Sequence, residues 1–429
     1  MPSPNRFARP LLGILLSASP LLPAGSVSLI EAVQNGDQRT VLQLLKAGAD
    51  VNSTRADGGT ALAWAVARDN VELVAALLQA KANVNLADEN GDTPLTLACA
   101  NGNVAVARML LAAKANPNVK RWSGDTPLMG AVHAGNVELV RLLVENGADV
   151  NAAEGRLQQT PLMWAAAGGN SAIVQLLIEK GAAVNAVSKS GFNALLFGAQ
   201  KGDLETVKTI IAAKADPLSK TPGGATPFAV ALTRGHESVA RLLLNHGADV
   251  KMRDENGGTP LHEAVRQGKV DLVRDLVARG AEIEARTEKS GGPPSRFRSV
   301  GLTPFLTAAE SGNVEMMREL VKLGADPKVK SRDGVGGILF ATQSRKLEAV
   351  KLMVELGADV NEERAGGGTA LHTATRFGAH DMIQFLVDHG GNLQAKDRFG
   401  RNVLEEAEFE APKPTIAFIR KLMAARSAK

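Results

Sequence analysis

The stretch Thr259-Pro260-Leu261-His262-Glu263-Ala264-Val265-Arg266-Gln267-Gly268 decides the fold. Thr259 caps free N–H groups at a helix start, and Pro260 costs nothing at the first helical position, where its missing N–H has no partner. Ala264 is small enough for this first helix to sit close to its neighbours, and Gly268 ends it. The spacing of Leu272, Val273, Leu276 and Val277 then predicts a second helix over 270–278 with one apolar face. Gly280 closes it in the left-handed conformation that glycine accepts most cheaply. A loop with a tight turn leads on to the next Thr.

The same unit recurs along the chain. Its start is marked by Thr60-Ala61-Leu62, Thr93-Pro94-Leu95, Thr126-Pro127-Leu128, Thr160-Pro161-Leu162, Thr226-Pro227-Phe228, Thr303-Pro304-Phe305 and Thr369-Ala370-Leu371. Asn193-Ala194-Leu195 and Gly336-Gly337-Ile338 are degenerate copies. The period is 33 residues, with 34 between Thr126 and Thr160 and 44 between Thr259 and Thr303. About twenty residues after each start comes Gly147-Ala148-Asp149-Val150-Asn151 or a variant. One unit cannot bury its own apolar face, so stability must come from interfaces between neighbours.

Period and motif resemble the ankyrin repeat family over nearly all of the chain beyond the leader. The resemblance implies an all-α solenoid of helix-turn-helix units with β-turn tip loops. Ten repeats are expected over 55–393, a half-repeat without Thr-Pro-Leu over 28–52, and a cap over 394–429. The cap should hold helices at Asn402–Glu410 and Thr415–Ala424, split by Pro412 and Pro414. A length of 429 residues alone would suggest two or three globular domains; the repeat predicts one elongated domain over 27–429 instead. The resemblance also implies that His262 and His372 tie neighbouring loops together by hydrogen bonds.

Residues 1–26 depart from the repeat. Arg6 and Arg9 precede an apolar run from Leu11 to Leu22, followed by Ala24-Gly25-Ser26. This order reads as a cleaved signal peptide, too short and proline-broken for a membrane span. An exported chain is therefore expected, periplasmic or secreted, and of bacterial type, with no membrane insertion of the mature part. Cys99 is the only cysteine, so no intrachain disulfide forms, and its place in a first helix suits a buried thiol. The net charge of +4 is small for a nucleic-acid binder.

Catalytic chemistry is not visible. There is no nucleophile elbow, phosphate loop or paired-cysteine zinc motif. His262-Glu263 does not open a zinc-protease motif, because Arg266 stands where the second His belongs. Gly334-Val335-Gly336-Gly337 occupies a repeat turn and follows no strand. Neither cofactor nor metal is expected.

In the ankyrin family ligands meet the loop tips and the exposed side of the first helices. Counting seven and eight residues from each start places Arg68, His133, Lys201, Arg234, Arg266, Arg376 and Phe377 on that side. Lys201, Arg234 and Arg266 form a basic ladder over three adjacent repeats. Arg121, Trp122 and Phe192 lie at tips, and Trp and Arg are the residue types that anchor interfaces. An 11-residue excess near 286–301 carries Arg296, Phe297 and Arg298 in a Gly- and Pro-rich tip loop. Trp64 and Trp164 read as packing between repeats.

The resulting expectation is a monomeric, non-catalytic scaffold that binds another protein through a rigid concave surface, with an acidic patch on the partner suiting the ladder. The competing readings are a cytosolic scaffold, a cryptic hydrolase or metal-binding protein, and nucleic-acid binding along the basic groove. Two expectations concern stability. Lys81, Lys114 and Lys214 stand where other repeats place the helix-ending glycine, at about 1 kcal/mol each if the backbone is left-handed. The repeat over 330–361, with Gly336-Gly337 for Thr-Pro and Arg345 for a helix-ending glycine, should open most easily.

Overall fold

A computed structural model describes residues 27–288, 300–364 and 367–427. They form twenty-four helices that alternate as the first and second helix of a repeat, with no strand among the described residues. Contacts divide the chain into two compact units, one ending at Ala194 and the other beginning at Leu195. The leader over 1–26 and the residues Arg296, Phe297 and Arg298 lie outside the described residues.

Each helix start follows from its first residue. Thr60 Oγ1 accepts the Ala63 N–H at 3.1 Å and Thr303 Oγ1 that of Leu306 at 3.3 Å, while proline fills the first helical position of Pro94–Ala100, Pro127–His133 and Pro161–Gly168. The second helices have their own caps, which the Thr-centred reading passed over. Asn70, Asn103, Asn136 and Asn170 each accept an N–H from three residues on. Two of these amides also reach back to a carbonyl of the preceding repeat: Asn136 Nδ2 donates to Gly102 at 3.0 Å and Asn170 Nδ2 to Gly135 at 3.4 Å.

In the first unit, the first helices pack side by side from Leu29–Gln34 to Pro161–Gly168, and the second helices do the same. Their shared core is Ala, Leu and Val, with Leu77, Ala98, Leu110, Ala131 and Leu143 fully buried. Burying one such Leu stabilises by about 1.5–3 kcal/mol. Cys99 is fully buried among them, and burial pushes its thiol up to about 12. In the second unit Phe228, Phe305 and Phe340 take the largest buried places.

Two details differ from expectation. The 28–52 segment forms both helices of a pair, Leu29–Gln34 and Gln38–Lys46. Its start needs no Thr-Pro, because Ser28 Oγ accepts the Glu31 N–H at 3.1 Å while Glu31 accepts the Ser28 N–H at 2.8 Å. At the other end the last helix runs Lys413–Ser427, so Pro414 lies inside its first turn and only Pro412 separates the two cap helices.

The backbone is left-handed at Lys81, Lys114 and Lys214, with φ of 63°, 68° and 64°, and at Arg345, with φ of 59°. The sequence left open whether these loops had relaxed away from the glycine conformation. They have not, because the carbonyls that end the preceding helix need the N–H groups of this turn: Lys81 N donates to Leu78 O and Ala82 N to Leu77 O.

Candidate protein-binding surface

The tips of the first unit are held in order by backbone hydrogen bonds from one repeat to the next. Trp122 N donates to Asn90 O at 3.2 Å, Gly155 N to Ser123 O at 3.0 Å and Lys189 N to Leu157 O at 2.8 Å. Upon this rigid edge stand exposed apolar side chains: Trp122 at 84% exposure, Val187 at 61% and Leu157 at 43%. Lys120, Arg156 and Lys189 are exposed beside them, without an ion-pair partner among the described residues. Trp122 thus stands where expected. Its neighbour Arg121 is not a free cation: its Nε lies 2.8 Å from Asp92 Oδ1, and this pair braces the tip below the indole.

Leu157 and Arg156 owe their placement to Glu154, which the sequence reading missed. This carboxylate is buried and accepts N–H groups from Arg156 at 2.6 Å, Leu157 at 2.6 Å and Gln159 at 3.1 Å. Burial alone would raise its pKa, but these hydrogen bonds together outweigh it and hold the group below its usual value. The signal was present in the 34-residue spacing, whose extra residue lets Gln158 adopt a φ of 57° and bulge the loop outward. Phe192, expected at a tip, is half-buried.

On the first helices, Arg68 and His133 are exposed. The His133 ring meets Trp164 of the next repeat edge-on at 6.3 Å, which agrees with Trp164 as a packing residue. In the second unit Lys201 and Arg234 are exposed and carry no ion pair among the described residues. Arg266 departs from the expected ladder in two ways. It stands one register place before Lys201 and Arg234, where Gln267 occupies the matching position, and it is bound to Glu263 at 2.7 Å. The ladder therefore keeps two free cations.

Arg376 and Phe377 do not present an exposed surface. The cap helix Val403–Glu410 packs on Ala370–Arg376 and brings the buried Glu406 to 3.5 Å from Arg376 Nε, so that only 22% of the Arg376 side chain is exposed. Phe377 is half-buried beneath the Arg345 guanidinium, 4.1 Å from its ring centre. Arg376 instead lines a cavity of ≈ 590 Å³ together with Arg364, His372, Arg398, Arg401, Phe399 and Phe409. Phe399 and Phe409 are 64% and 69% exposed, and the Arg401 guanidinium lies 4.7 Å and 4.5 Å from their ring centres. Acids in its wall, Asp333, Asp397, Glu406 and Glu410, match the four guanidinium groups in number. Among the described residues no group of His, Cys, Asp and Glu has the arrangement of a metal site, and no helix is long and apolar enough to cross a membrane.

Comparison with known proteins bears on the whole array. A family model described as ankyrin repeats in three copies matches residues 29–121, 113–188, 195–287 and 338–412, and a single ankyrin repeat model matches 300–329. Among solved structures, the ankyrin repeat domain of Bcl-3, described as a unique member of the IkappaB protein family, is 30% identical. That match covers 51% of this chain and 99% of the other, with a TM-score of 0.45. No curated protein matches the chain. With family models matched along most of its length, the chain belongs to the ankyrin repeat family.

Proposed function

We propose that this chain is a non-catalytic scaffold that grips a protein partner by its tips and first helices, and that it works outside the cytoplasm. Ankyrin repeats imply a protein–protein interaction scaffold. The observation that carries the finer reading is the first unit's edge, where Trp122, Leu157 and Val187 stand exposed between Lys120, Arg156 and Lys189. Apolar anchors ringed by cations suit a partner whose docking face is apolar at its centre and acidic at its rim. Lys201 and Arg234 extend the same preference on the second unit. Because backbone hydrogen bonds already order the tips, little ordering entropy is lost on association. Export rests on the order of basic, apolar and small residues over 1–26.

The test is a pull-down from a periplasmic extract with the tagged mature chain, followed by affinity measurements on the captured partner. Trp122→Ala with Leu157→Ser should weaken binding at least tenfold with the thermal midpoint retained, as should Lys201→Ala with Arg234→Ala. Unchanged affinity in both variants would overturn the reading. Binding to nucleic acid with a steep salt dependence would favour the basic-groove alternative. An intact Met1 on the purified native protein would remove the proposal of export.

A further inference from the structure

A single carboxamide joins adjacent repeats in several places. Asn118 Oδ1 accepts the Asp149 N–H at 2.7 Å, while its Nδ2 donates to the Gly147 carbonyl at 2.8 Å. Asn85 does the same toward Asn116 and Lys114, Asn151 toward Ala183 and Gly181, and Asn361 toward Asn392 and Gly390. Each side chain sits between a carbonyl just past a second helix and the N–H two residues further on. The pairing is a property of the primary amide, which offers a donor and an acceptor from adjacent positions on one edge.

The register puts Leu218 in this slot, opposite Gly247 and Asp249. Leucine offers neither group. Among the described residues, no protein group hydrogen-bonds the Asp249 N–H or the Gly247 carbonyl. At the same place the surface opens into a cleft of ≈ 390 Å³, lined by Leu218, Thr226, Phe228, Gly247, Asp249 and Met252. Glu284 in the corresponding slot accepts the Asp326 N–H at 2.8 Å; Lys251 and Lys328 offer no acceptor in theirs, and none of these three side chains lines the cleft beside Leu218.

We infer that the cleft beside Leu218 is a binding site for a primary carboxamide, the side chain of an Asn or Gln on the partner. The inserted amide would accept from Asp249 N–H and donate to the Gly247 carbonyl, as Asn118 does toward Asp149 and Gly147. Its methylene stem would lie on Leu218 and Met252. A trans peptide group points its N–H and C=O in opposite directions and does not bridge both groups from one edge. A carboxylate has acceptors only and would face the Gly247 carbonyl without a proton to give. The inference rests on the protein-binding reading above, but its test needs no partner.

The test is an amide-resolved NMR titration of the mature chain with N-acetyl-asparagine methylamide and, separately, with N-acetyl-aspartate methylamide. The asparagine compound should shift the Asp249 amide resonance progressively, and the aspartate compound should shift it far less. Leu218→Asn supplies the chain's own carboxamide, so it should abolish the shift and raise the thermal midpoint. Leu218→Ala leaves the slot without an amide and should keep the shift, which separates occupation of the slot from damage to the cleft. No Asp249 shift in the parent chain, an equal shift with the aspartate compound, or an undiminished shift in Leu218→Asn would each overturn the site. A partner that binds normally while Asp249 fails to respond would remove this site and leave the scaffold reading standing.

Discussion

His262 Nε2 lies 2.9 Å from the Leu302 carbonyl, 40 residues along the chain. On its other side Nδ1 accepts the Thr259 N–H at 3.3 Å. The fully buried ring is therefore a neutral imidazole that donates from Nε2, binding a helix start to the next repeat. The same contact closes the insertion, whose ends meet where Thr287 N donates to Leu302 O at 3.0 Å.

This geometry makes stability depend on pH. Burial, the largest cause, pushes the His262 pKa from 6.5 down to about 4, and burial also lowers that of His372. Between these values the unfolded chain binds the extra proton and the folded chain does not. The stabilisation is complete above pH 6.5 and is lost as pH falls toward 4, at up to about 1.4 kcal/mol per pH unit for His262. Denaturation midpoints at pH 7.5, 5.5 and 4.5 should fall in that order. The decline should be shallower in His262→Gln, and an equal slope in both chains would refute the assignment.

The Asn118 staple gives a second expectation. Asn118→Leu removes both of its hydrogen bonds to the next repeat and should cost about 1–2 kcal/mol, a modest figure because water reaches the freed groups. Asn118→Asp keeps the acceptor for Asp149 N–H and loses the donor to Gly147, so it should fall between. Hydrogen exchange should quicken at the Asp149 amide in Asn118→Leu and much less in Asn118→Asp. Equal protection in all three chains would mean that the staple adds nothing.

Lys81, Lys114 and Lys214 carry a left-handed backbone against the preference of a side chain with a Cβ. Replacing all three by Gly should raise the denaturation midpoint. Each site gains about 1 kcal/mol in the folded state, less what the looser unfolded chain takes back. They stand in three separate repeats, so the gains should nearly add. A triple variant no more stable than the parent would show that the unfolded-state entropy cancels the relief.

Gly337 should behave in the opposite sense. Within a helix, Gly→Ala usually stabilises by about 1 kcal/mol. Here a Cβ would lie 2.6 Å from Met353 Cε, and Met353 is itself buried. Gly337→Ala should therefore destabilise, by about 1–3 kcal/mol, as an overpacked core does. The surrounding repeat also has neither second-helix nor first-helix cap from a side chain, at Lys346 and Gly336. Its amides should exchange faster than those of 126–151, despite full burial of Ile338, Leu339 and Phe340. A gain in stability on Gly337→Ala would show that the Met353 side chain moves aside freely.

What the sequence determined by itself was set within a few residues along the chain. The helix over 270–278, its left-handed end at Gly280 and the caps at Thr60 and Thr303 depend on local hydrogen bonds and turn geometry, so each could be read from its own segment. The His262 tie was implied by the family resemblance, and the structure shows it as a bond to the Leu302 carbonyl. The asparagines that cap the second helices were equally local and were simply passed over. Tertiary structure decided which exposed-looking side chains stay free, since each such fate rests on a group from elsewhere in the fold. Arg376 was withdrawn by Glu406 of the cap helix and Arg121 by Asp92 of the preceding tip. Leu218 reads as an ordinary loop residue until Gly247 and Asp249 of the next repeat stand opposite it. Register names the position of a side chain, but burial and pairing depend on what packs against it, and that is known only when the repeats are stacked.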